Sequence, residues 1–250
     1  MPTMTYREAI TRALDEELAR DPRVIFFGED VARAGGVFKA TPGLYEKYGP
    51  LRVRDTPISE TAIIGAGIGA AVTGLRPVVE LMFADFAGVA YDQIVNQAAK
   101  FRYMSGGQLT VPLTIRMAQG GGAGFGSQHS QCVETWFTGI TGLKVAVPAT
   151  PADALGLLKT AIRDDNPVVF LEHKGLYTDK GDVPDGEHLV PFGQAHTVRH
   201  GEHVTLVATQ RMLSPALQAA DALDREGVSC EVIDPRTLVP LDLASVIESV

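Results

Sequence analysis

The apolar positions of the chain fall into short continuous runs separated by longer stretches with helical spacing. Val24-Ile25-Phe26-Phe27, Pro77-Val78-Val79-Glu80-Leu81-Met82-Phe83, Pro112-Leu113-Thr114-Ile115-Arg116-Met117, Lys144-Val145-Ala146-Val147 and Val168-Val169-Phe170-Leu171 have the length of strands buried on both faces. Between them lie helix signals. Thr5-x-x-Glu8 is a capping box opening a helix to about Arg20, with Ile10, Ala13, Leu14 and Leu18 on one buried face. Thr150 as N-cap with Pro151 at the first helical position starts another, ending at Arg163. A helix from Asp85-Phe86 to about Met104 is expected to bury Val89, Ala90, Ile94 and Ala98 and to expose Gln93, Gln97 and Lys100. This alternation predicts an α/β fold, a mostly parallel sheet with helices on both faces and right-handed crossovers.

Glycine and proline punctuate the pattern. Residues 32–49, with the pair Gly35-Gly36, read as loop, and Gly120 to Gly126 holds five glycines in seven residues, which suits a mobile or ligand-hugging loop. From His173 to about Val190 the composition turns loop-like and sets a boundary between a first domain at 1–185 and a second α/β unit at 186–250. The second unit holds two strand runs, Thr205-Leu206-Val207-Ala208 and Ser229-Cys230-Glu231-Val232-Ile233, a helix between them and the start of a helix at Leu241. So few strands make a poor independent sheet, so this unit reads as truncated or as completed by a partner.

Composition narrows the class. With 250 residues, 45% hydrophobic and 21% charged, the chain has the make-up of a folded globular protein with a large core. A net charge of −8 without a basic block gives no support for binding nucleic acid or an anionic membrane. The polar start and the lack of a long apolar run make the cytoplasm the default location. Cys132 and Cys230, far apart and outside any Cys-x-x-Cys pattern, suit reduced thiols.

The stretch Asp55-Thr56-Pro57-Ile58-Ser59-Glu60 looks made to aim a carboxylate. Pro57 stiffens the loop, Ser59 is placed to cap, and Glu60 enters the first turn of a helix built from small residues. The bland alternative is a helix-capping acid. A second alternative is a dinucleotide fingerprint, because Gly65-Ala66-Gly67-Ile68-Gly69-Ala70 fits G-x-G-x-x-A and Asp85 lies 20 residues past Gly65. The apolar run before it is short for the strand this motif needs. His129, in the polar setting Gln128-His129-Ser130-Gln131, is either a catalytic or ligand-contacting group or a satisfied loop histidine; Cys132 beside it makes a weak Cys/His pair. Glu29 and Asp30, at the end of an expected strand, are either site carboxylates or solvated ones. The helix end at Ala161-Ile162-Arg163-Asp164-Asp165-Asn166-Pro167 aims free carbonyls at a tight turn suited to a cation or to water.

Taken together, DTPISE, ELMFADFAGVAYDQIVNQAAKFRYMSGG, QHSQ, GLKVAVP, AIRDDNPVVFLEH and EVIDPRTLVPLD resemble the β subunit of the thiamine-diphosphate-dependent 2-oxoacid dehydrogenases, the pyruvate, branched-chain and acetoin types. The resemblance covers nearly the whole chain and leans toward the acetoin type in ELMFADFAG, NQAAKFRYMSGG and EHKGLY. It implies a transketolase-type pyrimidine-binding domain at 1–185 and the start of the C-terminal domain at 186–250, and it places the glycine-rich segment in a helix. Glu60 matches the glutamate that shares a proton with the aminopyrimidine ring of the cofactor, so that the ring's exocyclic nitrogen can deprotonate the thiazolium carbon. Phe86 matches the aromatic residue packed on that ring, with Met82 nearby. His129 matches a histidine of the substrate channel that serves transfer to the lipoyl group. Leu113, Ala161, Ile162, Asp164 and Asn166 match ligands of a structural potassium ion, mainly through main-chain oxygens.

The resemblance also implies partners: an α subunit in an α2β2 assembly and a lipoyl-bearing acyltransferase core. Magnesium for the cofactor's diphosphate needs a Gly-Asp-Gly segment that this chain lacks; Lys180-Gly181-Asp182-Val183 comes nearest and misses the second glycine. Thiamine diphosphate is therefore expected to be shared, with the α subunit holding Mg²⁺. The competing functions are a nicotinamide- or flavin-dependent oxidoreductase built on Gly65, Gly67 and Asp85, and a non-catalytic assembly subunit.

Overall fold

The computed structural model describes residues 1–122 and 124–250. Its strands are β1 (Thr3–Thr5), β2 (Val24–Gly28), β3 (Val53–Asp55), β4 (Arg76–Leu81), β5 (Thr114–Gln119), β6 (Lys144–Ala146), β7 (Val168–His173), β8 (Lys180–Asp182), β9 (His196–Arg199), β10 (Val204–Val207), β11 (Cys230–Asp234) and β12 (Thr237–Val239). Its α-helices are α1 (Tyr6–Arg20), α2 (Leu44–Tyr48), α3 (Glu60–Val72), α4 (Phe101–Met104), α5 (Thr135–Thr138), α6 (Pro151–Arg163), α7 (Leu213–Asp224) and α8 (Leu243–Glu248).

Alternation along each buried strand builds two cores. Phe26, Val78, Val168 and Phe170 point to one side of the sheet, where α1 and α6 lay Ile10, Leu14, Leu155 and Leu158. Ile25, Val79, Leu81, Val169 and Leu171 point to the other, against Ile63, Ile64 and Ile68 of α3 and Ile94. Every residue of β2, β4, β5 and β7 is buried, which explains why these strands read as continuous apolar runs. Each such Leu or Phe contributes about 1.5–3 kcal/mol, set against the entropy of ordering the chain.

The central sheet has seven strands in the order β12-β6-β7-β5-β4-β2-β3. Its pairs are parallel from β6 to β3, while β12 runs antiparallel against β6. A smaller sheet, β10-β11-β9, combines a parallel and an antiparallel pair and packs Val232 against Ala220 and Leu217 of α7. The stretch 186–250 thus contributes three strands to its own sheet and returns β12 to the central one. No described helix is long and apolar enough to cross a membrane.

Several local expectations change. Residues 44–48, read as loop, form α2, and Lys180–Asp182, also read as loop, pairs as β8 with β1, where Thr3 donates to Asp182 Oδ1 at 2.6 Å. The long helix after Asp85 is broken into a 3₁₀ turn at Ala84–Gly88, a π-helix at Gln93–Ala98 and α4. Ala90, Ile94 and Ala98 are buried as expected, but Val89 is 63% exposed, and Gln93, Gln97 and Lys100 are half-buried. The reason is the change of pitch: Val89 closes a 3₁₀ turn, with three residues per turn, and Gln93 and Gln97 lie in a π-helix with a five-residue step, so neither stretch keeps the 3.6-residue direction. Gly65 to Ala70 lie inside α3, so they form no phosphate-binding turn, and the dinucleotide reading fails on this geometry. A Cβ on Gly67 would sit 2.9 Å from Leu113 Cδ1 and 3.1 Å from Val79 Cγ1. That glycine lets helix and sheet approach closely. Both cysteines are free thiols.

Candidate active site

Strands β2, β3, β4, β5 and β7 run parallel and end on one edge, and the polar loop residues singled out by the sequence gather there, as expected for an open α/β sheet. The loop that carries Glu60 is pinned from both ends. Thr56 N–H donates to Gly28 O at 2.9 Å, and Asp55 Oδ1 accepts from Ala32 N–H at 2.7 Å. Helix α3 then starts at Glu60, where an acid is favoured by the helix dipole. Ser59 makes no side-chain capping bond, so the expected cap is absent and the helix start is held elsewhere. Thr61 Oγ1 donates to Val89 O at 2.8 Å and ties this start to the turn that bears Phe86.

Glu60 is 8% exposed and Glu29, at the end of β2, 7%. Burial first, then the charge of Glu60 and then Asp30, pushes the Glu29 carboxyl above the usual carboxylate range. Glu29 Oε1 and the neighbouring Thr56 Oγ1 are buried without a hydrogen-bond partner. Such groups normally find one; here Glu29 lies close enough to Glu60 to feel its charge.

Phe83, Phe86 and His129 form an aromatic wall. The His129 ring stands edge-on to Phe83 at 4.6 Å and to Phe86 at 5.2 Å, and Phe83 meets Phe86 at 5.7 Å. Lys174 Nζ lies 5.3 Å from the Phe83 ring centre, buried and without a hydrogen-bond partner. Burial pushes that ammonium below the usual lysine range, with Asp85 and Cys132 opposing. Met82 lies lower, over a small polar floor. There Arg116 donates to Glu172 at 2.7 and 2.9 Å and to Glu80 at 2.7 Å, and Tyr177 donates to Glu172 at 2.9 Å. A guanidinium shared by two carboxylates fixes the ends of β4, β5 and β7 relative to one another.

Three contributors to this edge left little trace in the residue pattern. Gln119 donates to Glu134 and to Gln210, each at 2.7 Å, and Gln210 donates to Leu171 O at 2.8 Å, so the second α/β unit is wired to the strand ends. At Gly120 (φ +88°), a Cβ would lie 2.2 Å from His173 Nε2. Burial, then Arg211 and Lys174, depress His173 to about 4, so it stays neutral at neutral pH. Only the run of glycines hinted that something packs there.

Leu113, Ala161, Ile162, Asp164 and Asn166 converge on the opposite, amino edge, away from Glu60. Leu113 O accepts from Val168 N–H at 2.9 Å and Ala161 O from Asp164 N–H at 3.2 Å. Arg76 donates to Ile162 O at 2.8 Å and to Asp164 O at 2.6 Å, and its third nitrogen meets Asp165 Oδ1 at 3.0 Å. The Asp164 carboxylate pairs with Lys144 and accepts from Asn166 N–H at 2.8 Å. Among the described residues no three His, Cys, Asp or Glu side chains gather as a metal site. Main-chain oxygens at a helix C-terminus do suit a hard cation, and each carbonyl engaged by Arg76 keeps a second lone pair.

Comparison with known proteins identifies the two domains and the fold. The family models for the transketolase pyrimidine binding domain and the transketolase C-terminal domain match residues 2–180 and 193–250. The chain is 50% identical over 257 residues to acetoin:2,6-dichlorophenolindophenol oxidoreductase subunit beta of Cupriavidus necator, covering 99% of this chain and 76% of the relative. It is 48% identical over 250 residues to the 2-oxoisovalerate dehydrogenase subunit beta of Bacillus subtilis, covering 100% and 76%. It is 49% identical over 251 residues to a mitochondrial pyruvate dehydrogenase E1 component subunit beta-2 of Oryza sativa subsp. japonica, covering 99% and 67%. Among solved structures it is similar to a split gene transketolase, an inactive beta4 tetramer, with a TM-score of 0.81 and 25% identity over 98% of this chain and 75% of that one.

Proposed function

The chain belongs to the family of transketolase-like β subunits of the pyruvate, acetoin and branched-chain 2-oxoacid dehydrogenases, and from that membership we propose that it is the half of a decarboxylating or acetoin-cleaving enzyme that grips the pyrimidine end of thiamine diphosphate. The observation that carries this reading is the buried Glu60 beside Glu29 Oε1 and Thr56 Oγ1, polar atoms buried without protein partners at the carboxyl edge of the sheet. When bound, thiamine diphosphate supplies a carbon nucleophile and an electron sink for cleaving the bond next to a carbonyl. Glu60 holds a proton at the aminopyrimidine ring nitrogen. Glu29, its carboxyl raised first by burial and then by the Glu60 charge, stands beside that acid and is the second polar group available to the ring. Phe86 and Met82 orient the ring, and His129 serves the acyl transfer to a lipoyl group.

The rest of the assembly belongs to the same reading. The α subunit holds Mg²⁺ and the diphosphate in an α2β2 arrangement, a lipoyl-bearing core receives the acyl group, and potassium sits at Leu113, Ala161, Ile162, Asp164 and Asn166. Partner contact is supported by Ile58, 82% exposed at the apex of the Glu60 loop, and by a neighbouring apolar groove of about 400 Å³ lined by Ile25, Phe27, Ile63 and Ala66. Residues 1–185 form the pyrimidine-binding domain, and the stretch from 186 belongs to the C-terminal domain. The leaning toward acetoin as substrate rests on sequence likeness alone.

The test is reconstitution with the α subunit and a panel of acetoin and 2-oxo acids. Turnover with one member of the panel is expected. Glu60→Gln keeps the size of the side chain but removes the proton-holding group, so turnover should fall by roughly two or more orders of magnitude while melting changes little. Near-normal turnover of that variant removes Glu60 from the chemistry and favours a non-catalytic assembly subunit.

A further inference from the structure

Asp85, the acid that the dinucleotide pattern singled out, has a different set of neighbours from the ribose such an acid would bind. It sits on the 3₁₀ turn Ala84–Gly88, directly before Phe86. Its Oδ1 accepts from Gln131 Nε2 at 2.9 Å and from the Gln131 main-chain N–H at 3.2 Å. Two residues before Gln131 is His129, at the end of the 3₁₀ turn Ser127–His129. Upstream of that turn are Gly120, Gly122, Gly124 and Gly126, all at positive φ. A segment preceded by so many glycines has much freedom to lose, and few bonds limit it. On its far side the segment is held by Gly120 N–H donating to Gln131 O at 2.9 Å and by Asp85. A carboxylate acceptor makes the stronger of these two anchors.

We propose that Asp85 is a positioning residue: by engaging both N–H groups of Gln131 it fixes the segment Ser127–Gln131 and so holds His129 edge-on between Phe83 and Phe86. The anchor and the aromatic wall share one short turn, since Phe83, Asp85 and Phe86 are nearly consecutive. A shift of the Gln131 main chain therefore moves the histidine relative to Phe86 itself. Lys174 completes the device from the end of β7. Its buried ammonium lies over Phe83, and the Asp85 carboxylate, whose Oδ2 has no hydrogen-bond partner, opposes the lowering that burial imposes on that ammonium. Asp85 touches neither substrate nor cofactor in this scheme. It acts through the backbone of the segment that carries His129.

This inference rests on the reading above that His129 serves transfer to the lipoyl group, and the experiment separates the two. The reconstituted α2β2 enzyme is assayed with a lipoyl domain as acceptor and, in parallel, with dichlorophenolindophenol, which needs no lipoyl docking. Asp85→Ala is expected to lower kcat/KM for the lipoyl domain roughly tenfold or more and dye reduction by less than about threefold. Asp85→Asn, whose amide oxygen still accepts from Gln131, should recover most of the loss. In a His129→Ala background, Asp85→Ala should add nothing further. If Asp85→Ala destabilises the chain, Gln131→Leu, which deletes one of the two donors from an exposed side chain, should give a smaller loss of about twofold to threefold in the same assay. The inference is overturned if Asp85→Ala transfers to the lipoyl domain at the parent rate, or if its loss multiplies undiminished on His129→Ala. Full transfer by His129→Ala alone removes the role of the histidine, and the positioning role of Asp85 falls with it.

Discussion

Glu29 shows how one side chain can be recruited by a neighbour far away in sequence. It is placed beside Glu60 because β2 and β3 end together, with Gly28 opposite Asp55. Burial, then the Glu60 charge, raises its carboxyl, so the folded chain binds this proton more readily than the unfolded chain does. The sign follows from that difference: the contribution to stability is fully present below the ordinary carboxylate range and is lost as pH rises through the raised value. Glu29→Gln removes the cost of an ionised, buried carboxylate. It should therefore raise the melting temperature near about pH 7.5 and leave it nearly unchanged near about pH 4. Melting curves at the two pH values check this; an equal shift at both would mean that Glu29 is not charged at neutral pH.

At the scale of elements, α6 and the turn after it show how a helix end is stabilised on the amino edge of the sheet. The last carbonyls of a helix lack partners, and here Arg76, at the start of β4, reaches under α6 to take those of Ile162 and Asp164. A potassium ion bound to the remaining lone pairs would add to the same stabilisation. Exchanging potassium for tetramethylammonium should then lower the melting temperature, by an amount equivalent to about 2.7 kcal/mol if potassium was present at 100 times its dissociation constant. Arg76→Met should deepen that dependence. Superimposable melting curves across a potassium titration would leave Arg76 as the cation that serves this turn.

On the proposed function, the whole molecule offers half of a cofactor site. The carboxyl edge carries an acid, an aromatic wall and a histidine, while the Gly-Asp-Gly segment that magnesium and diphosphate need is missing from the sequence. Ligand binding shared across an interface is coupled to assembly. Calorimetry should accordingly find tight, Mg²⁺-dependent binding of thiamine diphosphate to the mixture of α and β chains and weak binding to either alone, by a factor of roughly a hundred or more. Tight binding to this chain by itself would refute the shared site.

Much of this was legible in the residues. Strands buried on both faces must be apolar throughout, so β2, β4, β5 and β7 announced themselves, and the capping chemistry of Thr5 and Thr150 marked the starts of α1 and α6. The place of Glu60 at the first position of α3 was readable because proline and the start of a helix act within a few residues. The order of motifs along the chain made the family resemblance plain. Other features depended on contacts between distant segments. Short edge strands such as β3 and β12 are defined by their partners, and the 3₁₀ turn at Ala84–Gly88 and the π-helix at Gln93–Ala98 depart from the 3.6-residue period on which the expected burial of Val89 rested. The pairing of Glu29 with Glu60, of Asp85 with Gln131 and of Arg76 with the end of α6 arises only when the parallel sheet brings strand ends together. Hydrogen bonds and charges act over a few ångströms in space, and a single sequence records only separation along the chain.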